Sequence, residues 1–95
     1  GGKTIVIPNN RLLGRSQQIF NLRCPTSGLT RLKLMDSSGR VLIELFAESM
    51  EAGQHKVLTW DGKDSSGNYL PSGVYTAVVV AADGHIYKQN FMIIR

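Results

Sequence analysis

The stretch that decides the fold is Trp60-Asp61-Gly62-Lys63-Asp64-Ser65-Ser66-Gly67-Asn68-Tyr69-Leu70-Pro71-Ser72-Gly73-Val74-Tyr75. It joins two β-prone segments through three reversals, Asp61-Gly62, Ser66-Gly67-Asn68 and Pro71-Ser72-Gly73. A Trp at a strand end buries a large ring where a core closes. Asp61 and Asp64 can accept backbone N–H bonds inside such a turn. Gly62, Gly67 and Gly73 are expected to supply positive φ. Tyr75, directly after Pro-Ser-Gly, is placed to turn its ring inward and bond its hydroxyl to a loop carbonyl. All of this is scaffold chemistry and predicts no reaction.

Outward from this loop the chain alternates. Gln54 to Trp60 reads as the strand before it, with Leu58 and Trp60 on one face. Val74 to Ala82 reads as the central strand, because it is the longest β-branched run. Asp83-Gly84 then turns the chain into a last strand from His85 to Ile94. Upstream, Leu32 and Leu34 alternate with Arg31 and Lys33, and Asp36-Ser37-Ser38-Gly39 turns the chain into a return strand from Arg40 to Phe46. Phe20, Leu22 and Cys24 alternate with Asn21 and Arg23 and stop at Pro25. Thr4 to Ile7 forms the first strand, and residues 9–17 read as loop. Ala47 to Ala52 is the one stretch with helical character, ended by Gly53.

The sum is about seven strands, with no room for the crossover helices of a parallel sheet. The expected core is Ile5, Ile7, Phe20, Leu22, Leu32, Leu34, Leu58, Trp60, Tyr75, Ala77, Val79 and part of the last strand. A chain of 95 residues is one domain with one small core. No apolar run reaches the ~18–20 residues that a membrane helix needs. The start, Gly1-Gly2-Lys3, reads as an internal cut or expression scar, so a piece of a longer protein is expected.

The signature loop resembles the W-D-G-K-D-x-x-G-x-x-x-P-S-G-x-Y pattern of the immunoglobulin-like domain first named in the flagellar hook-capping protein. It also resembles the C-terminal sorting domain of the type IX secretion system, the form this domain type takes at the end of many secreted bacterial proteins. Val6-Ile7-Pro8-Asn9 resembles the family's opening, with Asn10 in place of its second proline. Leu32 to Arg40 resembles its L-x-I-Y-D-x-x-G-R hairpin. Ala52-Gly53 followed by His55 resembles the entry to its Trp strand, which here runs one residue longer and suggests a bulge. The resemblance implies a seven-stranded antiparallel immunoglobulin-like β-sandwich over residues 1–95, with Tyr75 as a tyrosine corner.

For function, the resemblance implies a non-catalytic module of a secreted or surface-bound bacterial protein. Its first expected role is C-terminal sorting and anchoring, with a passenger domain N-terminal to it and the outer-membrane secretion machinery as partner. The final hairpin, Val78 to Arg95, is then the recognition segment, with Lys88 and Arg95 as exposed contacts. The alternatives are an accessory structural or carbohydrate-binding module, with Tyr69 and Tyr87 as glycan contacts, and the hook-capping assembly domain.

The charge is uneven, and an anionic partner is weighed against plain solvated strand faces. Residues 1–40 carry net +6 and residues 41–95 net −2. Lipopolysaccharide or an acidic polysaccharide fits this better than nucleic acid, because no aromatic residues interleave the basic ones. Arg23, Arg31 and Lys33 are expected to face outward together, and solvated strand faces explain them better than a bound anion does.

No catalytic group, metal or cofactor is predicted. Asp61, Asp64 and Asn68 do not follow the spacing of a calcium loop and read as turn caps. His55 and His85 form no triad pattern. Cys24 reads as a buried, inert thiol.

Overall fold

The computed structural model describes residues 5–95. Among the described residues, eight strands form two sheets: β1 (Val6–Pro8), β2 (Arg11–Leu13), β3 (Gln18–Arg23), β4 (Gly28–Asp36), β5 (Val41–Met50), β6 (His55–Trp60), β7 (Gly73–Val80) and β8 (Ile86–Ile94). The smaller sheet has the order β1-β3-β6 and the larger one β2-β8-β7-β4-β5. They enclose one core, in which Phe20, Leu22, Leu32, Leu34, Trp60, Tyr75, Ala77, Val79, Phe91 and Ile93 are buried. Phe91 is its aromatic hub. It meets Phe20 and Trp60 edge-on at 5.7 and 6.3 Å, and Tyr75 face-on at 6.0 Å.

The all-β architecture agrees with the sequence reading, but the strand inventory does not. Within the segment read as loop, Arg11–Leu13 forms β2, which buries Leu12 in the core. This strand pairs with β8 in parallel, so the sheets are not wholly antiparallel. The opening segment is thus shared. β1 pairs with β3 in one sheet, and after Pro8-Asn9-Asn10 the chain crosses to the other. Pro8 is tolerated because β1 is an edge strand.

Most of the stretch read as helical, Ala47 to Met50, is the end of β5, and Glu51 and Ala52 lie in the turn after it. The strand runs through Met50, pairing Glu48 with Thr30 and Gly28 with Met50. Pairing with β4 outweighs the weak helical preference of a short polar segment.

Bulges interrupt the β4–β5 pairing, between Leu32 and Lys33 and between Leu34 and Met35. The β3–β6 register is continuous, so the expected bulge before Trp60 is absent. Two expected core residues are displaced. Ile7 is 53% exposed because alternation in β1 turns Val6 and Pro8 inward, and Leu58 is only half-buried. Ile5 is buried as expected, while Thr4 and the Gly1-Gly2-Lys3 start lie outside the described residues.

Candidate functional site

The signature loop is a small hairpin standing on the end of β6. Lys63 bridges Tyr69 in antiparallel fashion. Leu70 N–H donates to the Gly62 carbonyl at 2.9 Å, and Asp64 N–H to the Asn68 carbonyl at 2.8 Å. Asp64 Oδ1 accepts from the N–H groups of Ser66 and Asn68, and Asp61 Oδ1 from that of Lys63. The Trp60 indole N–H donates to the Lys63 carbonyl at 2.9 Å, so the buried ring and the loop fix each other.

Gly62 and Gly67 have φ near +83° and +86°. Gly73 does not have positive φ. It opens β7 in extended form, and a Cβ there would make only ordinary contact with the Tyr75 ring. The Tyr75 hydroxyl donates to the Pro71 carbonyl at 2.7 Å, which is the expected corner. Burial raises the Tyr75 pKa, with nearby Arg95 opposing and Asp36 adding to the shift.

The β4–β5 turn repeats the same arrangement. Asp36-Ser37-Ser38-Gly39-Arg40 and Asp64-Ser65-Ser66-Gly67-Asn68 share the sequence Asp-Ser-Ser-Gly and the same bonds. In each, the Asp side chain takes the N–H groups two and four residues on. In each, the Gly N–H donates to the Asp carbonyl at 3.1 Å. The Ser38 hydroxyl adds a bond of 2.6 Å to Asp36, and with the Arg40 N–H it lowers the Asp36 pKa. Asp83 is lowered chiefly by the His85 N–H and then by the His85 ring, at 2.9 Å. These carboxylates serve their own turns.

The residues singled out for partner contact are spread apart. Lys88 is exposed on β8, opposite Val78. Arg95 follows the inward line of Phe91 and Ile93 and closes the far end of the sandwich. Its Nε donates to the Leu70 carbonyl at 2.8 Å, one terminal nitrogen to Gly14 and the other to Gly62 at 3.2 Å. Its backbone N–H donates to the Ser72 hydroxyl. Arg95 is therefore a clasp between two loops, the signature loop and the loop after β2, with its charge held in place.

Tyr69 sits beside it, 37% exposed. The cationic groups of Arg15, Lys63 and Arg95 stand 5.0, 5.0 and 4.8 Å from its ring centre. Tyr87 lies eight residues before Arg95, roughly 26 Å away along the strand, and packs against the core. The two tyrosines do not form one platform.

Arg31 and Lys33 share Glu44 on the larger sheet, at 3.3 and 3.9 Å, while Arg23 lies on the smaller one. These three bases do not face outward together. Cys24 is buried, with its thiol 3.2 Å from the Thr26 carbonyl. Gln18 carries no signal in the sequence, and neither does the gathering of Arg15 with Lys63. Gln18 is fully buried, and its role becomes visible only when β1 crosses beside it.

Two sheets around a Trp–Tyr-braced loop, with the opening strand shared between them, define an immunoglobulin-like β-sandwich module. Residues 14–85 match the FlgD Ig-like domain model, and the chain belongs to that family.

The basal-body rod modification protein FlgD of Salmonella typhimurium is 37% identical over 51 residues, 54% of this chain and 22% of its own length. The Salmonella typhi protein of the same name matches to the same extent. The chain thus spans about a fifth of the length of the curated relatives it matches.

Among solved structures, FlgD from P. aeruginosa superposes with a TM-score of 0.64 at 25% identity, covering 96% of this chain and 74% of that one. PorZ of Porphyromonas gingivalis, an essential bacterial surface component of its type-IX secretion system, superposes with a TM-score of 0.68 at 22% identity. That match covers 95% of this chain and 11% of PorZ, and it shows a shared fold.

Proposed function

We propose that this chain is the immunoglobulin-like domain of a hook-capping-type assembly protein, a non-catalytic module that works outside the bacterial cytoplasm by contact with protein subunits. Family membership over residues 14–85 carries this reading. The geometry supports it, because the Trp60, Asp61 and Asp64 side chains of the signature loop are spent on its own backbone.

The contact surface proposed is the outer face of the larger sheet. There Leu13 pairs with Ile94 and Val74 with Met92, and all four are exposed. Lys88 lies further along β8, on the part of its edge that β2 does not cover. Apolar side chains grouped in this way mark contact surfaces more often than scattered ones do.

The test is to exchange the Ig-like domain of Salmonella FlgD for residues 5–95 and score swimming in soft agar. The chimera is expected to swim. A folded V74K/M92K version is expected not to. A non-motile chimera that is stably expressed and exported contradicts the reading.

The type IX sorting role is the second reading, favoured by the likeness of the signature loop to the sorting domains. On that reading the last strand docks on the outer-membrane secretion machinery, and the passenger lies N-terminal. A reporter fused before residues 5–95 then reaches the surface in a bacterium with that system and fails to when residues 85–95 are removed. Under the assembly reading both fusions stay in the periplasm.

A further inference from the structure

The cations of this domain differ in what surrounds them. Arg31, Lys33, Arg40 and Lys56 each lie within 4 Å of a carboxylate. Arg15, Lys63 and Arg95 make no such pair among the described residues, yet all three converge on Tyr69. They come from three separate segments: the loop after β2, the signature loop, and the residue after β8. Asp61 and Asp64 share the signature loop, but each has an oxygen committed to backbone N–H groups.

Three like charges around one exposed ring repel each other, and the ring's negative face offsets only part of that. A bound anion would offset the rest. The site is also partly preorganised. Arg95 is pinned by three carbonyls, which leaves two of the five N–H donors of its guanidinium free for a ligand. Arg15 and Lys63 add two charges on flexible stems, each 5.0 Å from the centre of the same ring.

We propose that Arg15, Lys63 and Arg95, gathered around Tyr69, form a binding site for a terminal phosphoryl group. A doubly charged phosphate matches a cluster of three cations better than a single carboxylate does, and the planar guanidinium suits two of its oxygens. The Tyr69 ring is flanked by cations, so it orients them and does not stack on a sugar. The site adjoins the Leu13–Ile94 end of the apolar outer face, but its charge chemistry does not depend on the assembly reading. The phosphoryl group can come from a free phosphorylated solute or from the headgroup of a phosphorylated lipid.

The experiment titrates ¹⁵N-labelled domain with inorganic phosphate, against sodium chloride at matched ionic strength. Saturable shifts are expected at Gly14, Arg15, Gly62, Lys63 and Tyr69. The R15Q/K63Q variant alters two side chains that make no hydrogen bond to the fold and should keep the rest of the spectrum. Its affinity is expected to fall by about tenfold or more. K88Q, on a distant part of β8, is expected to bind as the parent does.

A second arm measures co-sedimentation with phosphatidylcholine vesicles containing phosphatidic acid. Binding that R15Q/K63Q loses identifies a lipid headgroup as a source. Phosphate binding without vesicle binding identifies a free solute. Shifts no larger than those with chloride overturn the site, as does binding that R15Q/K63Q retains in either arm.

Discussion

Gln18 and Asn9 exchange two hydrogen bonds across nine residues. The Asn9 N–H donates to Gln18 Oε1 at 2.8 Å, and Gln18 Nε2 donates back to the Asn9 carbonyl at 2.9 Å. The side-chain amide thus pairs with the backbone where β1 has ended and β2 has not begun. The same Oε1 accepts the Ile19 N–H. A fully buried glutamine pins the point at which the chain changes sheets.

Replacing that amide should cost more than an average core substitution. Gln18→Leu leaves three backbone groups without their partner and is expected to lower stability by about 2–4 kcal/mol in urea unfolding. Gln18→Glu keeps the acceptor but puts an oxygen against the Asn9 carbonyl. Its loss should be larger at pH 7 than at pH 4, because burial disfavours the ionised carboxyl.

The Tyr75–Pro71 bond gives a second test. Tyr75→Phe keeps the ring packed against Phe91 and removes only the hydroxyl, so a loss of about 1 kcal/mol is expected, read as a melting temperature lower by about 4–8 °C. The raised pKa fixes the direction of the alkaline response. The fold holds the neutral phenol, so this contribution is intact below the ordinary value of 10.0 and is lost as pH rises through the higher folded value. Parent and Tyr75→Phe should therefore differ less above pH 10 than at pH 8.

Two glycines separate backbone strain from steric exclusion. Gly67 has φ of +86° with open space where a methyl would stand, so Gly67→Ala is expected to cost about 1–2 kcal/mol from conformation alone. Gly28 has φ of +130°, and a Cβ there would stand 2.6 Å from the Ala82 Cβ. Gly28→Ala should be clearly the worse of the two in thermal unfolding, because strain and overlap add.

The Asp36 turn should be acid-sensitive. Its carboxyl is held below the ordinary 3.8 by the Ser38 hydroxyl and the Arg40 N–H. A group depressed in this way stabilises the fold above its unfolded pKa, and that contribution is lost as pH falls through the lower folded value. A carbon-detected NMR titration should give Asp36 and Asp83 midpoints below 3.8. Asp36→Asn keeps an acceptor for the turn, so the β4–β5 hairpin should persist while its acid response disappears.

The parts legible in the sequence are those whose signal is local. Leu32 and Leu34 alternate with Arg31 and Lys33, and Asp-Ser-Ser-Gly marks the turn, so the β4–β5 hairpin can be read directly. The Trp60 to Tyr75 loop carries the bonds of Trp60, Asp61, Asp64 and Tyr75 within its own residues. β2 is hidden because a three-residue strand among polar neighbours has no period to detect, and its pairing with β8 is a matter of topology. The end of β5 looks helical because an edge strand needs few apolar residues. Tyr69 and Arg95 both stand out in the sequence, but as separate contacts. Their meeting with Arg15 and Lys63 joins residues distant in sequence, and only the closed sandwich brings them together.

The measurement that bears most directly on the assembly role is the fraction of cells carrying hooks, counted by electron microscopy. The strains to compare are a Salmonella FlgD deletion expressing the chimera with residues 5–95, one expressing its V74K/M92K version, and one expressing native FlgD. The assembly reading predicts hooks with the chimera and their loss with V74K/M92K at equal protein levels. Hook counts that do not respond to V74K/M92K, or a stable, exported chimera that builds no hooks, would contradict it.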